Sequence, residues 1–176
     1  MEFSETPLAG AYIVRLKRIE DNRGFFARGF CQAEFAAQGL AATMVQLNVG
    51  VSTSKGTVRG MHYQETPHSE AKLIRCTRGA LFDVIVDLRP ESPTRGQWFG
   101  IELTAANALM LYAPEGCAHG YQTISDDTEM YYMTSRAYAP SAARGVRYND
   151  PAFAIVWPLP VTVISDADAN WPSYAP

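Results

Sequence analysis

Cysteine is scarce in this chain, and histidine equally so. The three cysteines, Cys31, Cys76 and Cys117, are widely spaced, odd in number and set in apolar or aromatic sequence, with no CxxC pair. That argues against a disulfide framework and a zinc knuckle, so buried free thiols are expected. Charge of one sign is missing too. Fifteen Lys and Arg stand against 18 Asp and Glu, a formal net charge of -3, which leaves no basic field for nucleic acid. A small anion could still be held where arginines gather locally, at Arg23, Arg59, Arg75 and Arg78. No apolar run approaches the roughly 20 residues of a membrane helix. The start, Met1 to Thr6, lacks the basic end and apolar core of a secretory leader. The expectation is a cytoplasmic protein with no membrane partner. Internal repeats and low-complexity segments are absent as well.

What is present is a series of short extended segments. At 176 residues the chain is expected to form one domain, residues 1–176, burying about two-thirds of its unfolded surface. Ala11–Ile19, Phe25–Cys31, Val45–Val49, Gly56–Gln64, Ala71–Cys76, Ala80–Leu88, Trp98–Leu103, Ala108–Ala113 and Glu129–Thr134 have strand composition, punctuated by Gly, Pro, Asn and Asp turns. Only Gln32–Gln38, closed by Gly39, has the spacing of a short helix. The tail from Pro140 reads as irregular chain wrapped over the sheets. Ala80–Leu88 is mostly apolar and belongs in mid-sheet, so Asp83 and Asp87 within it need partners. The fold class is therefore all-β with very few short helices, a sandwich or a barrel, and a jelly roll is the commonest way to make a small β enzyme of this length.

The chemistry concentrates at Arg59-Gly60-Met61-His62-Tyr63-Gln64. On a strand, His62 and Gln64 share one face while Met61 and Tyr63 share the other. Taken alone, this fits a surface histidine as well as a catalytic one. Arg59 lies on the opposite alternation from His62 and needs a bulge, for which Gly60 is the obvious place. Gln46 and Asn48 also share a face, and a solvated sheet surface is the commoner reading of such a pair. Pro114-x-Gly116-x-x-His119 resembles the second cupin motif. Metal-binding cupins carry His-x-His in the first motif, whereas here the second position is Gln64, a poor ligand for a transition metal. No metal is expected. A metal-free barrel histidine can act as general base, since its ordinary pKa of about 6.5 suits the task. Spacing alone does not choose its acid among Asp83, Asp87, Asp166 and Asp168, nor a proton donor among Tyr63, Tyr131, Tyr132 and Tyr138.

An ordered set of motifs goes further. Asp21-Asn22-Arg23-Gly24-Phe25-Phe26, Gln46-Leu47-Asn48, Val58 to Gln64, Lys72 to Cys76, Phe82 to Arg89, Pro114 to Gly120 and Tyr148-Asn149-Asp150-Pro151 together resemble the dTDP-4-dehydrorhamnose 3,5-epimerases. The resemblance implies a metal-free cupin that uses no cofactor and inverts carbons flanking the C4 ketone of a nucleotide-linked 4-keto-6-deoxy sugar. By the family pattern His62 is the base, Asp168 its orienting carboxylate, Tyr132 the proton donor and Lys72 the cation beside the enolate oxygen. Arg23 and Arg59 would meet the diphosphate, Gln46, Asn48 and His119 the sugar and phosphates, and Tyr138 the base. A homodimer, in which neighbouring strands help complete the pocket, is also implied. Three departures, Arg28, Ala143 and Ala167, fall in regions expected to touch ligand and bear on which nucleotide or sugar is taken. A catalytically silent nucleotide-sugar-binding cupin and a metal-dependent cupin isomerase or dioxygenase are the alternatives.

Overall fold

The computed structural model describes residues 1–175. Thirteen strands and two short helices make up its regular structure. In chain order they are β1 (Glu2–Glu5), β2 (Tyr12–Arg15), β3 (Ile19–Asp21), β4 (Gly24–Phe26), α1 (Gln32–Ala37), β5 (Gln46–Ser52), β6 (Val58–Gln64), β7 (Lys72–Arg78) and β8 (Ala80–Asp87). β9 (Trp98–Thr104), β10 (Leu109–Ala113), β11 (Cys117–Thr123), β12 (Thr128–Thr134), β13 (Ala143–Gly145) and α2 (Asp166–Ala169) follow. A six-stranded sheet runs β1-β2-β10-β7-β12-β5 and a five-stranded one β13-β6-β11-β8-β9, with β3 and β4 a separate hairpin. All of these pairings are antiparallel. The two sheets face each other as a cupin jelly roll, as expected.

Alternation along each strand sorts side chains into layers. Ile74, Cys76 and Leu111 of the six-stranded sheet pack against Leu81, Ile85 and Tyr121 of the five-stranded one. Outside the first sheet, Phe35 of α1 is fully buried on Val14, Leu73, Met110 and Tyr112, a burial that contributes about 2–3 kcal/mol. Outside the second, Met61, Val84, Val86 and Ala118 are covered by Val146, Phe153 and Trp157 of the tail. The tail's irregular path thus has a job, closing the sheet whose other face carries His62.

Several sequence expectations shift in detail. Ala11–Ile19 is not one strand: β2 ends at Arg15 and β3 begins at Ile19. Phe25–Cys31 is extended only to Phe26. β11 was not expected as a strand, because all seven of its residues, Cys-Ala-His-Gly-Tyr-Gln-Thr, are buried and a strand covered on both faces loses the alternation that betrays one. Cys31 is only partly buried, whereas Cys76 and Cys117 are buried. Burial pushes the Cys76 thiol up to about 11 and the Cys117 thiol up to about 12, so neither is a nucleophile at neutral pH. Asp87 finds Arg89, Ser92 and Thr94. Burial opposes its ionisation, but those bonds outweigh it and hold the carboxyl down at about 2.

Candidate active site

A two-lobed cleft opens at one end of the space between the sheets. Its lobes, about 290 and 240 Å³, share Asn48, His62, Lys72, Tyr132 and Asp168. The cleft is reached from both sheets, because inward-facing positions of β6 and β11 oppose those of β5, β7 and β12. An elongated ligand could lie across both lobes.

His62 stands where the β6 pattern put it, with Met61 fully buried on the opposite face. Its Nε2 lies 2.6 Å from Asp168 Oδ1, joining residues 106 positions apart. Ser165 caps α2 by accepting from the Asp168 N–H at 3.1 Å. The Trp171 ring lies against the face of Gly145, leaving no room there for a β-carbon. This contact pins the tail on β13, beside β6. Burial raises the Asp168 carboxyl, yet the hydrogen bond and charge of His62 and the N–H groups of Gly60 and Trp171 outweigh it and hold it below the usual carboxylate range. An ionised carboxylate only accepts, so His62 Nε2 must donate, and in the neutral ring the lone pair is then on Nδ1. The imidazole is thereby oriented and its basic nitrogen chosen.

Gly60 makes the expected bulge. Pairing of β6 with β11 runs His62 to His119 and Arg59 to Tyr121, so β6 spends one more residue than its neighbour over that interval. Arg59 and His62 consequently face the same lobe. The Arg59 guanidinium is held by Ser52 Oγ and the Val51 carbonyl, both at 3.2 Å, rather than by a carboxylate, and it remains available to an anion.

Across the cleft, Tyr132 comes from β12 and Lys72 from β7. Burial raises the Tyr132 phenol above its ordinary range, aided by the negative charge of Glu70, so it stays protonated at neutral pH. Lys72 is 6% exposed; its Nζ donates to the His62 carbonyl at 2.9 Å and pairs with Glu70 Oε1 at 3.0 Å. His119 Nε2 is 2.7 Å from Asp83 Oδ1, the partner that buried Asp83 required. Burial raises the Asp83 carboxyl, opposed by the charge and hydrogen bond of His119.

Gln46 and Asn48 line the cleft, which overturns the solvated-face reading. Gln46 Nε2 donates to Asn48 Oδ1 at 2.8 Å, and Gln46 Oε1 accepts the Tyr138 N–H at 3.0 Å. Asn48 Nδ2 is buried without a partner, an open donor for a ligand. Tyr138, 61% exposed, sits at the rim. Gln64 also lines this lobe, but its amide is spent on the backbone of His68, Ala137 and Ala139.

Two expected residues are elsewhere. Arg23 lies at the tip of the β3–β4 hairpin, its side chain 85% exposed and paired with Asp21, and does not line the cleft of its own chain. Arg28 is likewise outside it, bound to Glu34, so it is not a ligand-contact position within one chain. Ala143 and Ala167 do line the cleft. Glu70, Arg136, Arg144 and Trp171 line it without having been anticipated. For Glu70 a signal existed: spacing of two from Lys72 puts both on one face of an extended chain.

The geometry sets an imidazole held by a carboxylate across a cleft from a protonated phenol and a buried ammonium, an arrangement able to move a proton. Comparison with known proteins identifies the family. The family model for dTDP-4-dehydrorhamnose 3,5-epimerase matches residues 5–175. The dTDP-4-dehydrorhamnose 3,5-epimerase of Sinorhizobium fredii is 40% identical over 174 residues, covering 98% of this chain and 89% of that one. The crystal structure of the enzyme of the same name from Elizabethkingia anophelis superposes with a TM-score of 0.96 at 36% identity, covering 99% and 96%. A Legionella pneumophila dTDP-6-deoxy-D-glucose-3,5-epimerase, crystallised with dTDP-4-keto-L-rhamnose, gives 0.89 at 33% identity, covering 99% of each chain. With a match across nearly its whole length, in sequence and in fold alike, the chain belongs to the dTDP-4-dehydrorhamnose 3,5-epimerase family.

Proposed function

We propose that this protein inverts C3 and C5 of a dTDP-linked 4-keto-6-deoxyhexose by proton removal and return through an enolate. The observation that carries this reading is the placement of His62 and Tyr132 on opposite sheets facing one cleft. Inversion beside a ketone needs a base on one side of the sugar and an acid on the other. His62 Nδ1 takes the proton, and Asp168 stabilises the imidazolium that forms. The electron pair of the broken C–H bond moves into the ring, the ketone oxygen becomes an enolate, and Lys72 offsets its charge. Tyr132 then delivers a proton to the opposite face. Arg59, Gln46, Asn48, His119 and Tyr138 hold the nucleotide and sugar.

The test is deuterium uptake in heavy water from a dTDP-4-keto-6-deoxyhexose, read by NMR. Uptake at both carbons is expected. Label at one carbon alone would make the protein a mono-epimerase, and tight binding with no exchange would make it a silent binding cupin.

A homodimer is part of the proposal. Leu47, Val49 and Val51 on the outer face of edge strand β5 are 54%, 63% and 44% exposed, and Ile19, Phe25 and Phe26 of the hairpin are exposed too. Such a surface favours association. The exposed hairpin could carry Arg23 across to the partner's cleft, giving a use to an arginine outside its own. Light scattering should give twice the chain mass, and Val49→Asp should shift it toward monomer. A monomeric wild type at assay concentration would contradict the dimer.

A further inference from the structure

Glu70 has no part in the reading above, yet it is among the least expected groups in the cleft. It is a carboxylate 7% exposed, at the edge of a cavity said to develop negative charge. Oε1 holds the Lys72 ammonium at 3.0 Å, while Oε2 is buried with no hydrogen-bond partner. An orphaned carboxylate oxygen is costly, and a negative charge close to an enolate opposes it. Support for the sheet alone would be met as well by an apolar residue.

We propose that Glu70 is a positioning residue for proton transfer, clamping Lys72 against the His62 carbonyl. The two bonds of Lys72, to Glu70 and to the His62 carbonyl, tie the cation of one sheet to the strand that carries the base in the other. Their lengths fix where the ammonium stands when the enolate forms. Glu70 is also the leading electrostatic cause, after burial, of the raised Tyr132 phenol; the other groups acting on Tyr132 are Tyr121 and Tyr138. The lobe that holds Glu70 and Tyr132 also carries the basic side chains of Lys72, His62, Arg136 and Arg144, and the adjoining lobe those of Arg59 and His119, with Asp168 behind His62 and Asp83 behind His119.

The proposal rests on the epimerase reading, and solvent exchange by the wild type separates the two. Glu70→Gln keeps an oxygen for Lys72 but removes the charge. Its kcat for exchange should stay within about threefold of wild type at neutral pH, while the alkaline limb of the kcat profile moves to lower pH, because a nearby negative charge no longer favours the protonated phenol. Glu70→Ala loses the clamp as well. Its kcat should fall about 10- to 100-fold, as expected for a misplaced catalytic group, with KM and dTDP affinity within about threefold. An unmoved alkaline limb in a folded Glu70→Gln, or loss of dTDP binding together with exchange in that variant, would overturn the proposal. Absence of exchange in the wild type would overturn the function and this proposal together.

Discussion

Replacing His62 by alanine is expected to lower solvent exchange at the sugar carbons by about 10³-fold, within the range a positioned general base contributes, while dTDP affinity changes by no more than about threefold. The asymmetry follows from how the cleft divides its work. In the proposed reaction proton removal rests on His62 alone, whose Nε2 is committed to Asp168. Anchoring is assigned in that proposal to separate groups: Arg59, held by Ser52 and the Val51 carbonyl, and Gln46, Asn48 and Tyr138 on the facing wall. The substitution leaves the scaffold in place, since Asp168 keeps the Gly60 N–H at 3.2 Å and the Trp171 indole at 3.3 Å. His62 is half exposed, so its loss opens no core cavity. Deuterium incorporation measured beside calorimetric titration with dTDP separates the two quantities. Near-wild-type exchange by the alanine variant would remove His62 as the base.

How far the sequence could be read depended on the range over which each feature is encoded. Which residues of β5 and β6 share a face follows from alternation within seven residues, and the apolar run of β8 marks it as mid-sheet, so the shared face of His62 and Gln64 and the need for partners at Asp83 and Asp87 were legible. The helix Gln32–Ala37 was legible from local spacing, its glycine stop included. β11 was not, because a fully covered strand has no polar face. Motif resemblance brought Asp168 to His62, but the means were hidden: a four-residue helix capped by Ser165 and an indole lying on Gly145 are contacts between distant segments. The amides of Gln46 and Asn48 were misjudged for a related reason. Their strand does have one face in water, but it is the apolar face of Leu47, Val49 and Val51 that is exposed. An alternating pattern gives two faces without saying which is inside, and on an edge strand beside a cleft the usual assignment inverts.

Gly60→Ala is expected to destabilise the protein by about 2–6 kcal/mol, joining about 1–3 for a disfavoured backbone conformation to about 1–3 for overpacking. Gly60 has φ +133°, a region open essentially to glycine. A β-carbon there would lie 2.5 Å from Gly120 Cα and 3.0 Å from the His119 carbonyl oxygen. Both neighbours are backbone and cannot swing aside. The melting temperature should fall by about 10 °C, given about 2–4 °C per kcal/mol for a chain of this size. Gly24→Ala is the matched control, with φ +123° and nothing within 4 Å of the added carbon, so it should cost the backbone contribution alone. The difference between the two variants isolates the crowding at the bulge. That crowding matters to the chemistry because the bulge puts Arg59 and His62 in one lobe, and because the Gly60 N–H itself binds Asp168. Displacement of β6 from β11 would therefore weaken the anion site and the His62–Asp168 pair together, so dTDP affinity and exchange should fall in step in Gly60→Ala where they separate in His62→Ala. A Gly60→Ala protein within about 1 kcal/mol of wild type, active and binding dTDP normally, would mean that the strand tolerates a side chain at the bulge and that the glycine is not what joins the two functions.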